Sequence, residues 1–180
     1  MTMKSNVKIL IARYLLWAAV LALMIVIFLF SAKTAEQSSN TSGSFAEKVL
    51  TLVVPGFSDF SEVQQKQAVD SIQFIVRKGA HFAVYFALGT LCLFAMNTYD
   101  VTAKQKVVTA LSISFVYAVS DEIHQLFVPG RAGQIRDVLI DFAGAVTGVA
   151  LATLIIFVCR KISQKRGMLL EKKYAREKNG

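Results

Sequence analysis

Tyr117-Ala-Val-Ser-Asp-Glu-Ile-His-Gln-Leu-Phe-Val-Pro-Gly-Arg-Ala-Gly-Gln-Ile-Arg-Asp137 is a polar interlude between two long apolar runs. Asp121, Glu122, His124 and Gln125 fall within about one and a half helical turns, and Asp121 shares a face with His124 and Gln125. Val128-Pro129-Gly130-Arg131 then places Pro and Gly at the central positions of a type II turn. Arg136 and Asp137 stand at the door of the next apolar run. Two apolar segments joined by such a turn read as a helical hairpin whose polar end carries chemistry.

Composition says what solvent the hairpin lives in. The 180 residues are 54% hydrophobic and only 18% charged, well above the apolar share of an ordinary soluble domain. Two prolines leave most of the chain free to be helical, and thirteen Phe against one Trp suit lipid contact. An all-α polytopic membrane protein forming one domain over 1–180 is the expectation. Cys92 and Cys159 both lie in apolar runs and read as packing residues, not as a disulfide. No phosphate-cradling glycine motif occurs, so no nucleotide is expected and no cofactor is assigned.

Four spans are expected, at about 14–30, 80–97, 107–126 and 138–158. The first run is longer than a signal-peptide core and lacks a small-residue cleavage site, so it reads as an uncleaved anchor. Residues 31–79 form an outer loop. In it Ser38–Gly43 reads as a flexible start, and Ser44-x-x-Glu47 as the capping box of a short helix ended by Pro55-Gly56. Ser61-x-x-Gln64 opens a second helix, lying on the membrane or on the other spans. Whether residues 44–76 form a lid over the polar site stays open.

Charge sets the orientation. Thirteen of the twenty basic residues fall in the N-terminus, the 98–106 connector and the tail 160–180, opposed there only by Asp100, Glu171 and Glu177. The positive-inside rule then makes both termini cytoplasmic. The basic balance reflects topology and gives no reason to expect nucleic acid. In that arrangement Arg77, Lys78, His81 and Tyr85, Asp121 to Gln125, and Arg131, Arg136, Asp137 and Asp141 come to one membrane level. Ionisable groups bordering spans are expensive and default to functional candidates. Small residues recur every fourth position at Gly79, Ala83 and Ala87, at Ala110, Ser114 and Ala118, and at Gly144, Gly148 and Ala152. Such faces let helices approach closely.

Arg77-Lys-Gly-Ala-His-Phe-Ala-Val-Tyr-Phe-Ala-Leu-Gly89 and Asp121-Glu-Ile-His-Gln-Leu-Phe-Val-Pro-Gly-Arg131, followed by Asp137 and Gly144, resemble two motifs of the VanZ-like family of bacterial membrane proteins. Phe30-Ser31, with Ser39 and Ser42, resembles the start of that family's outer loop. The resemblance covers about 28–148 and departs at Asp141, where the family pattern implies an amide. It implies a small multi-pass protein of the bacterial cell membrane, linked to the envelope and to teicoplanin resistance, and no particular reaction.

Three functional readings follow. In the first, the outer polar cluster binds or shields an anionic lipid-linked envelope component and lowers access of lipoglycopeptides such as teicoplanin. Arg77, Lys78, Arg131 and Arg136 would clamp phosphate oxygens. Asp121, Glu122 and Asp137 would orient those cations, while His81, Tyr85 and Gln125 read neutral polar groups; His124 completes the ligand-binding set. In the second, a membrane enzyme uses Asp121 or Glu122 with His124 and His81 for acid–base chemistry on a lipid-linked or surface substrate, with Arg131 stabilising developing charge. In the third, the same residues form ion pairs that tie helix ends together with no ligand. A metal site is a variant of the enzyme reading, with His81, His124, Asp121, Glu122 and Asp137 as proper ligand types, but two histidines on different spans without HExxH spacing are a thin signal and no metal is assigned. The oligomeric state is not readable from the sequence.

Overall fold

A computed structural model describes the backbone of residues 3–179 and the side chains of 6–168. The chain forms five α-helices: α1 (Met3–Ser31), α2 (Ala35–Val53), α3 (Glu62–Met96), α4 (Ala103–Gln125) and α5 (Ile135–Asn179). A 3-10 turn at Phe57–Asp59 links α2 to α3, and no strand occurs among the described residues.

Helix starts are set by local chemistry. Thr34, Ser61 and Thr102 each accept from the backbone of a glutamine three residues on, whose side chain answers the cap's own N–H. Two orphan donors are thus satisfied at each start. The capping box at Ser61 is the one the sequence indicates. The Ser44 box is not used: α2 already begins at Ala35, so Ser44 and the segment Ser38–Gly43 lie inside a helix. A start at Thr34 follows directly on the end of α1, and by residue 44 no amide is left to cap. Pro55-Gly56 does end α2, with Gly56 in the left-handed region at φ 72°.

A second revision concerns α3. The outer-loop helix opened at Ser61 and the span beginning near Ala80 are one continuous helix of 35 residues, about 52 Å long. Arg77-Lys78-Gly79 passes through without a break.

Among the described residues three helical segments are long and apolar enough to cross a membrane: Asn6–Ser31, Glu62–Met96 and Ile135–Met168. Leu15, Leu21, Ile25 and Leu29 of α1 are all exposed, as a lipid-facing surface requires. Helix α4, which carries Asp121 and Glu122, is not among the three. It nevertheless runs between the same two polar levels as its neighbours. At one level Arg13 donates to the Thr98 carbonyl at 2.8 Å, the Trp17 indole donates to Tyr99 at 3.0 Å, and Lys106 and Arg160 each reach Asn97 at 3.3 Å. At the other level the end of α1, the middle of α3, the end of α4 and the start of α5 meet.

Packing uses some of the small-residue faces and not others. Ala110, Ser114 and Ala118 of α4 are completely buried, and Gly144, Gly148 and Ala152 of α5 are buried too. A Cβ at Gly144 would strike the Phe82 carbonyl, and one at Gly148 the Phe86 carbonyl, so α3 and α5 touch backbone to backbone. The Gly79, Ala83, Ala87 face does not serve: Gly79 and Ala83 are exposed and nothing stands within 4 Å of a Cβ at Gly79. Instead Gly89 meets Ala145, whose carbonyl oxygen would lie 2.6 Å from its Cβ. Cys92 is buried and Cys159 exposed, both free.

Candidate functional site

The upper polar level divides into an ion pair, a cationic pocket and a buried carboxylate cluster. The ion pair joins Lys78 of α3 to Asp137 in the first turn of α5, Nζ to Oδ1 2.5 Å. Lys78 is therefore occupied as a helix tie. Arg136 is exposed and lies over the Phe74 ring, 5.3 Å from its centroid.

The pocket is a cavity of about 410 Å³ between α1, α2 and α3. Its lower walls are apolar, from Val26, Ile27, Phe45 and Val84, and its rim carries Lys33, Ser42, Arg77, His81 and Arg131. Arg131 is held as a fork. Its Nε donates to the Lys33 carbonyl at 2.9 Å and its Nη1 to Gln125 Oε1 at 3.0 Å. The Val128–Arg131 turn presents it, with the Arg131 N–H donating to the Val128 carbonyl at 3.1 Å and Gly130 at φ 73°. Burial, and next the neighbouring Arg77 charge, pull the Arg131 guanidinium below its ordinary pKa. Arg77 touches Ser42 Oγ at 3.4 Å, while its Nε is buried and donates to nothing. Among the described residues neither arginine has a carboxylate within ion-pair distance.

Helix α2 forms one wall of that pocket through Ser38, Thr41, Ser42 and Phe45. It is fastened to α3 by Gln73, whose Nε2 donates to the Ser39 carbonyl at 2.7 Å, to Ser39 Oγ at 2.8 Å and to Ser42 Oγ at 3.0 Å.

Behind the pocket, α3, α4 and α5 converge on His81, Asp121 and Asp141. One ligating atom from each lies within 4.8 Å of the other two. Asp141 is 0% exposed and Asp121 3%. His81 Nδ1 stands 3.4 Å from Asp141 Oδ1, outside hydrogen-bond geometry, and neither Asp141 oxygen accepts a hydrogen bond. Asp121 Oδ1 is equally unpartnered, while its Oδ2 accepts a long bond from Gln125 at 3.3 Å. One turn beyond His81, Tyr85 is fully buried with an unpartnered hydroxyl, within electrostatic range of both carboxylates.

The remaining candidates have quieter positions. Glu122 accepts from the Gln134 backbone N–H at 2.8 Å, fixing the approach to α5, and from Gln125 at 3.3 Å. His124 turns to α1 and packs on Phe28, ring centroids 4.5 Å apart, with its Nε2 unpartnered. It stands apart from the histidine–carboxylate cluster, so an acid–base pairing of Asp121 with His124 is not assembled. Gln125 joins the two regions, bonding Asp121, Glu122 and Ser31 while receiving Arg131. Asp141, counted in the sequence among the charges at this level, is the member given no role in any functional reading drawn from it. A carboxylate one helical turn inside an apolar run is the signal that marks it.

No curated protein and no solved structure matches the chain. The VanZ/LLP1 family does, over residues 16–157, a span that contains the pocket and the cluster alike. The chain belongs to the VanZ/LLP1 family of membrane proteins.

Proposed function

We propose that this protein is a four-span cell-envelope protein, both termini cytoplasmic, that seats the headgroup of an anionic lipid-linked envelope component in the α1–α2–α3 pocket. Membership of the VanZ/LLP1 family supports a link to glycopeptide resistance. Shielding of the seated component from lipoglycopeptides such as teicoplanin would supply that link without chemistry on the drug.

One observation carries the reading. Arg77 and Arg131 face the same cavity, close enough to repel, with no carboxylate in ion-pair distance among the described residues. Two guanidiniums on one cavity suit an anion, because a phosphate can accept charge-assisted hydrogen bonds from both. The volume lies within the range of small-molecule sites, and the apolar walls below the rim suit the first part of a lipid chain. Lys33 adds a third cation to that rim. Lys78 and Arg136, both first assigned to the clamp, are better read as supports.

The test uses the full chain in detergent and a fluorescent long-chain isoprenyl phosphate, with the matching alcohol as control. Wild type should prefer the phosphate, and Arg77→Gln should lose at least about tenfold of that preference, the equivalent of one charge-assisted contact. Equal binding of phosphate and alcohol by wild type would sink the proposal. In cells, wild type should lower binding of a fluorescent lipoglycopeptide and Arg77→Gln at equal abundance should not.

A second reading, a membrane enzyme, draws support from the buried histidine–carboxylate cluster. Its acid–base pair would be His81 with Asp121 or Asp141, since His124 packs on Phe28.

A further inference from the structure

We infer that His81, Asp121 and Asp141 are the protein ligands of one divalent cation of the zinc or manganese class, bound behind the headgroup pocket. The inference does not rest on the headgroup reading, and it is tested without any lipid.

The first support is geometric. One imidazole nitrogen and two carboxylate oxygens come from three different helices, and all three atoms lie within 4.8 Å of one another. Ligands about 2.0–2.2 Å from a tetrahedral ion stand roughly 3.3–3.6 Å apart, so the widest gap closes by up to about 1.5 Å on binding. Imidazole with carboxylates suits zinc and manganese; the absence of any thiolate from the set argues against softer ions.

The second support is the state of the polar atoms. Both Asp141 oxygens and Asp121 Oδ1 are buried and accept no hydrogen bond. Leaving such atoms unpaired costs the full desolvation of the group. One turn along α3 from His81, the Tyr85 hydroxyl is buried and unpartnered as well.

The third is the distribution of positive charge. Lys78 is paired with Asp137, and Arg131 is held at the pocket rim by Gln125 and the Lys33 carbonyl. Among the described residues His81 is the only basic side chain within ion-pair distance of Asp141, and none stands so close to Asp121. Two carboxylates, a neutral imidazole and a divalent ion sum to zero, the arrangement that a low-dielectric bundle interior favours. The chain spacing hides this site: its ligands are 40 and 20 residues apart, and the pairing exists only once α3, α4 and α5 pack.

The full chain, purified in detergent without a histidine tag and stripped with a chelator, is equilibrated with Zn²⁺ or with Mn²⁺, desalted, and its metal counted by mass spectrometry. Wild type should retain about one equivalent of at least one ion and melt at a higher temperature with it. Cys159→Ser should behave as wild type, which removes the exposed thiol as the source. Asp141→Asn and His81→Gln should retain at least about tenfold less, as expected on loss of a ligand. Wild type retaining neither ion overturns the inference, and so does Asp141→Asn retaining as much as wild type. Should the variants fail to fold, wild type decides alone, by stoichiometric loss of the free Mn²⁺ paramagnetic signal or of free Zn²⁺ reported by a chromogenic chelator: neither lost, no site.

Discussion

Lys78 of α3 holds both carboxylate oxygens of Asp137 on α5, at 2.5 and 2.6 Å. The side chains are 17% and 13% exposed, so the pair is shielded from most of the solvent. Asp137 also sits in the first turn of α5, where a negative charge complements the helix N-terminus. Removing either partner strands the other. Asp137→Asn and Lys78→Met should each destabilise the protein, and a double-mutant cycle on thermal unfolding should give a coupling of about 1–3 kcal/mol. A coupling near zero would mean that the pair is bystander geometry.

Glycine tolerance should split sharply. Gly148→Ala thrusts a methyl group into the Phe86 carbonyl and to 2.7 Å from Thr90 Oγ1, and Gly144→Ala into that of Phe82. Overpacking of this kind costs about 1–3 kcal/mol. Gly79→Ala meets nothing within 4 Å and should stabilise α3 by about 0.5–1 kcal/mol through helix propensity. Melting temperatures of the three in one detergent check both directions.

Arg131→Lys keeps the charge and loses the fork. An ammonium on a flexible stem cannot hold the Lys33 carbonyl and Gln125 together as the planar group does. About 1–2 kcal/mol of stability should go, measured by unfolding, with the α1–α2 corner the first region to exchange its amide hydrogens.

Gln73→Leu removes three hydrogen bonds that fasten α2 to α3. Hydrogen exchange should accelerate across Ala35–Val53 and leave α4 and α5 as in wild type. Uniform acceleration would show that α2 is not a separable unit.

The proposed topology has its own check. In a Cys159→Ser background, Asp59→Cys should react with a membrane-impermeant maleimide on intact cells and Asp100→Cys only after permeabilisation. Both positions are exposed, so silence at either reflects sidedness.

What could be read from the chain divides by range. The Ser61 box, the Pro55-Gly56 stop and the Val128–Arg131 turn are decided by neighbours in sequence and appear where expected, and three of the four expected spans are long and apolar enough to cross a membrane. Ser44 and Thr34 both match the capping template, and only the end of α1 selects Thr34. Gly79 and Gly148 look alike in sequence, yet one faces open space and the other a carbonyl. The candidate residues were legible as a group because charge near a span is rare. Their division into a tie, a pocket and a cluster was not, since Lys78 meets Asp137 and His81 meets Asp141 across about sixty residues of chain. Lys4 and residues 169–180, which count toward the positive-inside balance, have side chains outside the described residues.

The unbroken course of α3 has a mechanical consequence. A helix of 35 residues without a hinge at Gly79 behaves as a mast, its lower half stepped into the bundle against α5 and its upper half carrying α2 as a sail lashed at Gln73. Bending that mast to admit a ligand would break backbone hydrogen bonds along it, whereas casting off the lashing breaks three side-chain bonds. Entry of the proposed lipid to the cavity is therefore expected sideways, between α2 and α3.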